Sequence, residues 1–88
     1  MEKVAKYKAA AQRWAAMYKV EDQHALDVAA SILMTRDKVM MGGSFVQAVV
    51  DNNLREAINR ADDTCVKYLK FFSIICNNCG SYEILNGQ

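Results

Sequence analysis

The chain has no proline, and its four glycines stand at Gly42, Gly43, Gly80 and Gly87. Long stretches therefore lack any residue that breaks a helix, and the apolar residues between the glycines recur every three or four positions. This pattern predicts an all-α protein. In residues 1–19, Val4, Tyr7, Ala11, Trp14 and Tyr18 form a heptad-like stripe, and the lysines fall mostly on the opposite surface. A second helix is expected over residues 21–41, capped by Asp22, with Ala25, Val28, Ile32 and Val39 on its buried side. Lys19 and Val20 mark the junction, although one long helix with a kink satisfies the same spacing.

Gly42-Gly43 is expected to close the second helix in the left-handed conformation, with Ser44 capping a short third helix, "FVQAVV". Asp51, Asn52 and Asn53 punctuate next, because their side chains compete for backbone hydrogen bonds. From Leu54 the pattern predicts one long C-terminal helix through Ile75, fading at Asn77-Asn78. The tail, residues 79–88, either packs through Tyr82, Ile84 and Leu85 or frays. The architecture read from these elements is a short helical hairpin or bundle with a long C-terminal helix.

A chain of 88 residues is a single domain. Its apolar share, 52%, is high for a size at which little surface can be buried, so a homo-oligomer that completes its core with neighbouring copies is favoured. The net charge of +1 argues against a general DNA or RNA binder. Charge is nevertheless concentrated: Lys3, Lys6, Lys8, Arg13 and Lys19 oppose only Glu2, so residues 1–19 carry +4 and the remainder −3. A basic first helix suits a small anionic ligand or an acidic partner, and equally a solvated surface.

No apolar run approaches the roughly 18 residues of a membrane span, and no signal-peptide pattern follows the charged start. A cytosolic chain is expected. Three cysteines fit a reducing compartment. Cys76 and Cys79 have CxxC spacing, but structural zinc usually needs four Cys or His ligands. His24 alone could join them with Cys65, and nothing in the sequence brings it close, so no metal and no cofactor is expected. Adjacent Asp62 and Asp63 diverge on a helix, and no phosphate loop or nucleophile motif is present. The chain does not read as an enzyme.

Tyr7, Trp14 and Tyr18 lie among cations, which suits a ligand carrying both a nucleobase and a phosphate; heptad spacing suits a core role as well.

The stretch "GGSFVQAVVDNNLREAINRADD" and the apolar helix after it resemble the hairpin domain of phage anti-CBASS and anti-Thoeris sponge proteins. The resemblance rests on Gly43, Ser44, Phe45, Ala48, Val49, Asn52, Asn53, Leu54, Glu56, Ala57, Arg60, Ala61 and Asp62, with Asn77 or Asn78 at the end. It spans Gly42 to Asn78 within the 44–78 segment and its approach. The short length and basic first helix look most like the anti-CBASS members of T-even phages. The resemblance implies a protein of the host bacterial cytoplasm that sequesters cyclic oligonucleotide signals, such as 3′,3′-cyclic GMP–AMP, without cleaving them. It further implies a homo-hexamer with one pocket type for cyclic dinucleotides and another for cyclic trinucleotides. Arg60, with Asn53, matches the trinucleotide pocket. Tyr7 and Lys19 are the best matches for the dinucleotide pocket, with Tyr18, Lys8 and Arg13 as substitutes because the first segment departs from the family pattern. The family's usual Asn-Glu-Ala-Pro ending is replaced by "NNCGSY". A helical adaptor that docks its basic first helix on a host enzyme is the competing function.

Overall fold

The computed structural model describes residues 2–87, leaving out the side chain of Glu2; Met1 and Gln88, the outer limits of the expected first helix and tail, lie outside the described residues. Among the described residues the protein is all-helical, with α1 (Glu2–Met17), α2 (Gln23–Arg36), α3 (Ser44–Val50), α4 (Leu54–Arg60), α5 (Asp63–Lys67), α6 (Leu69–Asn78) and α7 (Ser81–Asn86). Helix α2 is central: it packs against α1, α3, α5 and α6, while α7 folds back onto α1.

The expected junction between the first two helices is real. Lys19 adopts a left-handed φ of 59°, and the Asp22 side chain caps α2 by accepting from the Ala25 N–H at 3.1 Å. Helix α2 ends earlier than the spacing predicts, at Arg36 rather than near residue 41. Lys38, at φ 63°, makes the left-handed turn that the glycines were expected to make. Gly42 has another role. A Cβ at that position would stand 2.6 Å from Ser31 Oγ and 2.7 Å from Val46 Cγ1, so the missing side chain lets the loop approach α2 and α3. Ser44 opens α3 without capping it, since Gly43 is the N-cap residue.

The long C-terminal helix is replaced by three shorter ones. Asn53 caps α4 by accepting from the Glu56 N–H at 3.2 Å. Ala61 then turns extended, and Asp62 caps α5 by accepting from the Cys65 N–H at 2.8 Å. An Asp placed ahead of a new turn satisfies an otherwise orphaned donor, which offsets the interrupted helix. Tyr68 marks a further break before α6.

The core gathers Tyr7, Ile32, Leu33, Phe72, Ile75, Cys79 and Ile84, all almost fully buried. Phe45 and Phe72 meet edge-to-face at 5.9 Å. The single chain thus closes a core without a neighbour. Large apolar side chains are also exposed, among them Met40 and Met41 in the loop after α2, Leu54 and Ile58, four residues apart on α4, and Val66 on α5. The tail packs rather than frays: Ile84 is buried, while Tyr82 stands in solvent.

Candidate ligand-binding hollow

Helices α3 and α4 pack side by side, and each presents polar residues at helical spacing to the groove between them. From α3 these are Ser44 and Gln47, with Asp51 at the helix end; from α4 they are Glu56 and Arg60, with Asn53 at the cap. Together with Ala48 they line an open hollow of about 190 Å³. Arg60 and Asn53, the two residues expected for a trinucleotide, are thus brought to one concave surface. The Arg60 guanidinium donates through Nε to Glu56 Oε2 at 3.2 Å, an exposed pair of i,i+4 spacing. Such pairs contribute only about 0.3–0.5 kcal/mol, so Arg60 gives up Glu56 at little cost. The Asn53 carbonyl oxygen serves the α4 cap, which leaves its amide N–H groups directed by a fixed side chain. Ser44, Gln47, Asp51 and Glu56 were not singled out from the sequence as site residues. Their signal was available in the 3–4 spacing Ser44–Gln47–Asp51 facing Asn53–Glu56–Arg60.

The residues expected for a dinucleotide do not converge. Tyr7 is 1% exposed, and its hydroxyl donates to Asp37 Oδ2 at 2.6 Å, so its ring and its polar atom are both engaged inside the fold. As a direct ligand contact Tyr7 is corrected by this placement. Burial first, then the hydrogen bond and charge of Asp37, push its phenol up to about 12. Arg13 is drawn to α7, where Nη2 reaches the Glu83 carbonyl at 3.5 Å, and Trp14 Nε1 donates to Glu83 Oε2 at 3.1 Å. Lys8 is exposed on α1, ten residues and about 15 Å of helix rise from Tyr18. Tyr18 and Lys19 are neighbours in the chain just past α1. The Tyr18 ring, 46% exposed, stacks on Trp14 at 6.2 Å and 10°, with exposed Lys19 next in sequence.

The polar cluster around Asp37 was not anticipated. Asp37 accepts from Tyr7, from Ser81 Oγ at 2.7 Å and from Arg36 Nε at 2.8 Å. Arg36 also donates to the carbonyls of Cys76 and Cys79, which ties the end of α2 to the end of α6. Burial opposes ionisation of Asp37, but the hydrogen bonds from Arg36, Tyr7 and Ser81 outweigh it and hold the carboxyl below its ordinary value. This network satisfies its members among themselves and is architectural. The CxxC pair belongs to the same region: Cys79 is buried, and burial pushes its thiol up to about 11. At neutral pH that sulfur is protonated and unreactive.

A larger groove of about 490 Å³ runs between the end of α2 and α3, bordered by Arg36, Lys38, Met40, Met41, Val50 and Asp51. None of the residues expected to bind ligand lies in it. No helix among the described residues is long and apolar enough to cross a membrane. Compared with protein families, curated proteins and solved structures, the chain matches none.

Proposed function

We propose that the protein sequesters cyclic oligonucleotide second messengers, cyclic trinucleotides at the α3–α4 hollow and cyclic dinucleotides elsewhere, and so keeps a CBASS effector inactive. The observation that supports this reading best is the meeting of Asn53 and Arg60 in one hollow beside Ser44 and Gln47. Arginine grips phosphate through its planar fork, and the neighbouring amides and hydroxyl supply the donors and acceptors that a base edge requires.

A hollow of about 190 Å³ is smaller than the roughly 300–1,000 Å³ of ordinary small-molecule sites. One protomer therefore takes one nucleotide unit of a ring, and adjoining copies take the others. Leu54 and Ile58, exposed four residues apart on α4, supply apolar surface for such an assembly, proposed here as a homo-hexamer. Asp51 and Glu56 outnumber Arg60 in a single hollow, so tight binding of a polyanion requires cations from more than one copy. For dinucleotides, the half-exposed Tyr18 ring, stacked on Trp14, offers a base platform, and Lys19, next in the chain, offers a cation.

Calorimetric titration of the full chain with cyclic tri-adenylate and with 3′,3′-cyclic GMP–AMP tests the proposal, followed by recovery of ligand after heating. Submicromolar binding with intact ligand released is expected. Arg60→Ala should weaken cyclic tri-adenylate at least tenfold while leaving the melting temperature unchanged. Absence of heat with both ligands overturns the proposal and leaves the adaptor reading, with the basic α1 surface as the docking face.

A further inference from the structure

Away from the hollow, the first turn of α2 meets the start of α5. Three side chains from two distant parts of the chain converge there. His24 Nε2 lies 3.0 Å from Asp62 Oδ2 across a separation of 38 residues. One donor atom each from His24, Asp62 and Cys65 falls within 4.8 Å of the others. His24 and Asp62 are exposed, whereas Cys65 is buried at their base.

We propose that His24, Asp62 and Cys65 form an open zinc site, with three protein ligands and one water, where the first turn of α2 meets the α4–α5 joint. The donor set is imidazole nitrogen, carboxylate oxygen and thiolate sulfur, all of which zinc accepts, with bond lengths of about 2.0–2.3 Å. Tetrahedral geometry at those lengths separates donor atoms by roughly 3.3–3.8 Å. The present spacing is therefore within about an ångström of closure, and His24 and Asp62 are side chains free to make that adjustment at the surface. The charges balance: neutral imidazole, one carboxylate and one thiolate cancel Zn²⁺.

Asp62 is already oriented for this task. Its Oδ1 accepts from the Cys65 N–H at 2.8 Å, which fixes the carboxylate plane and leaves Oδ2 turned toward His24. A backbone hydrogen bond on the non-coordinating oxygen is how ligating carboxylates are commonly held. Solvent reaches the site through the exposed pair, so water completes the fourth position. Binding moves one proton from the Cys65 thiol to solvent as the sulfur–metal bond forms, and no electron transfer is involved.

The CxxC pair is not part of this site. Arg36 holds the carbonyls of Cys76 and Cys79, and among the described residues no metal-ligating cluster includes either sulfur.

The test uses the reduced, metal-free full chain, titrated with Co²⁺ as a spectroscopic probe and then with Zn²⁺ in competition. One equivalent of Co²⁺ per chain should produce a thiolate-to-cobalt charge-transfer band that Zn²⁺ abolishes. His24→Gln should lower Zn²⁺ affinity at least tenfold. Asp62→Asn should do the same while retaining the helix cap, because Asn caps as well as Asp. Cys65→Ser should remove the band, and Cys76→Ser should leave it unchanged. Cys65 is buried, so its variant is checked for helicity; the surface variant His24→Gln decides the matter if that fold is lost. A missing band overturns the site, as does undiminished affinity in His24→Gln or loss of the band in Cys76→Ser.

Discussion

Replacing Tyr7 by Phe keeps the buried ring and deletes one hydroxyl. No cavity opens, so the whole effect comes from the hydrogen bond to Asp37 at 2.6 Å. Hydrogen bonds to charged groups contribute about 1.5–3 kcal/mol. Asp37 keeps Arg36 and Ser81 as partners, so its carboxylate is not orphaned and the lower part of that range applies, about 1.5–2 kcal/mol. For a domain of this size that corresponds to a melting temperature lower by roughly 6–16 °C.

The pH dependence of Tyr7→Phe supplies a second signature. The Tyr7 phenol is raised to about 12 from 10.0, so between those values the native state binds more protons than the unfolded chain. This contribution is complete below pH 10 and is lost as pH rises toward 12, by up to roughly 2–3 kcal/mol. Wild type should therefore surrender its advantage over Tyr7→Phe across that interval. Thermal unfolding followed by circular dichroism at neutral and alkaline pH, at fixed protomer concentration, measures both effects. A drop below 2 °C at neutral pH, or an advantage that persists at pH 12, refutes the reasoning. Loss of dinucleotide binding with unchanged stability would instead make Tyr7 a ligand contact.

Gly42→Ala should destabilise by about 1–3 kcal/mol, because the new methyl meets Val46, a stiff β-branched side chain on α3, and Ser31; denaturant unfolding reads this as a lower midpoint at unchanged slope. Lys38→Gly should stabilise by about 0.5–1 kcal/mol, since the left-handed φ of 63° costs a lysine more than the added freedom of glycine in the unfolded chain. A lower melting temperature in that variant would disprove it. Asn53→Asp keeps the α4 cap but removes the amide donors and adds a negative charge to the hollow, so titration should show weaker cyclic tri-adenylate binding with little change in stability.

Helical class, the break near Lys19, the Asp22 cap and the punctuation at residues 51–53 were all legible in the sequence, because each depends on interactions within a few residues. The three-way division of the C-terminal segment was harder to see. An Asp inside an apolar pattern reads as a surface position, and only the packing of α5 against α2 shows that Asp62 starts a helix instead. The same holds at Gly42, where turn chemistry suggested a left-handed cap and the structure shows a steric requirement set by Ser31 and Val46.

For the candidate site, Asn53 and Arg60 were paired by the resemblance of this stretch to the sponge family, and their spacing of seven residues is compatible with one side of α4. Which residues oppose them across the groove was a tertiary decision, made when α3 packed on α4. Tyr7 shows the limit from the other side. A tyrosine among lysines has the same local pattern whether its ring faces ligand or core, and only the arrival of Asp37, thirty residues away, placed its hydroxyl inside. Likewise His24, Asp62 and Cys65 carry no common motif. Local periodicity assigns residues to helix faces, but which faces meet depends on the long-range packing that closes the core.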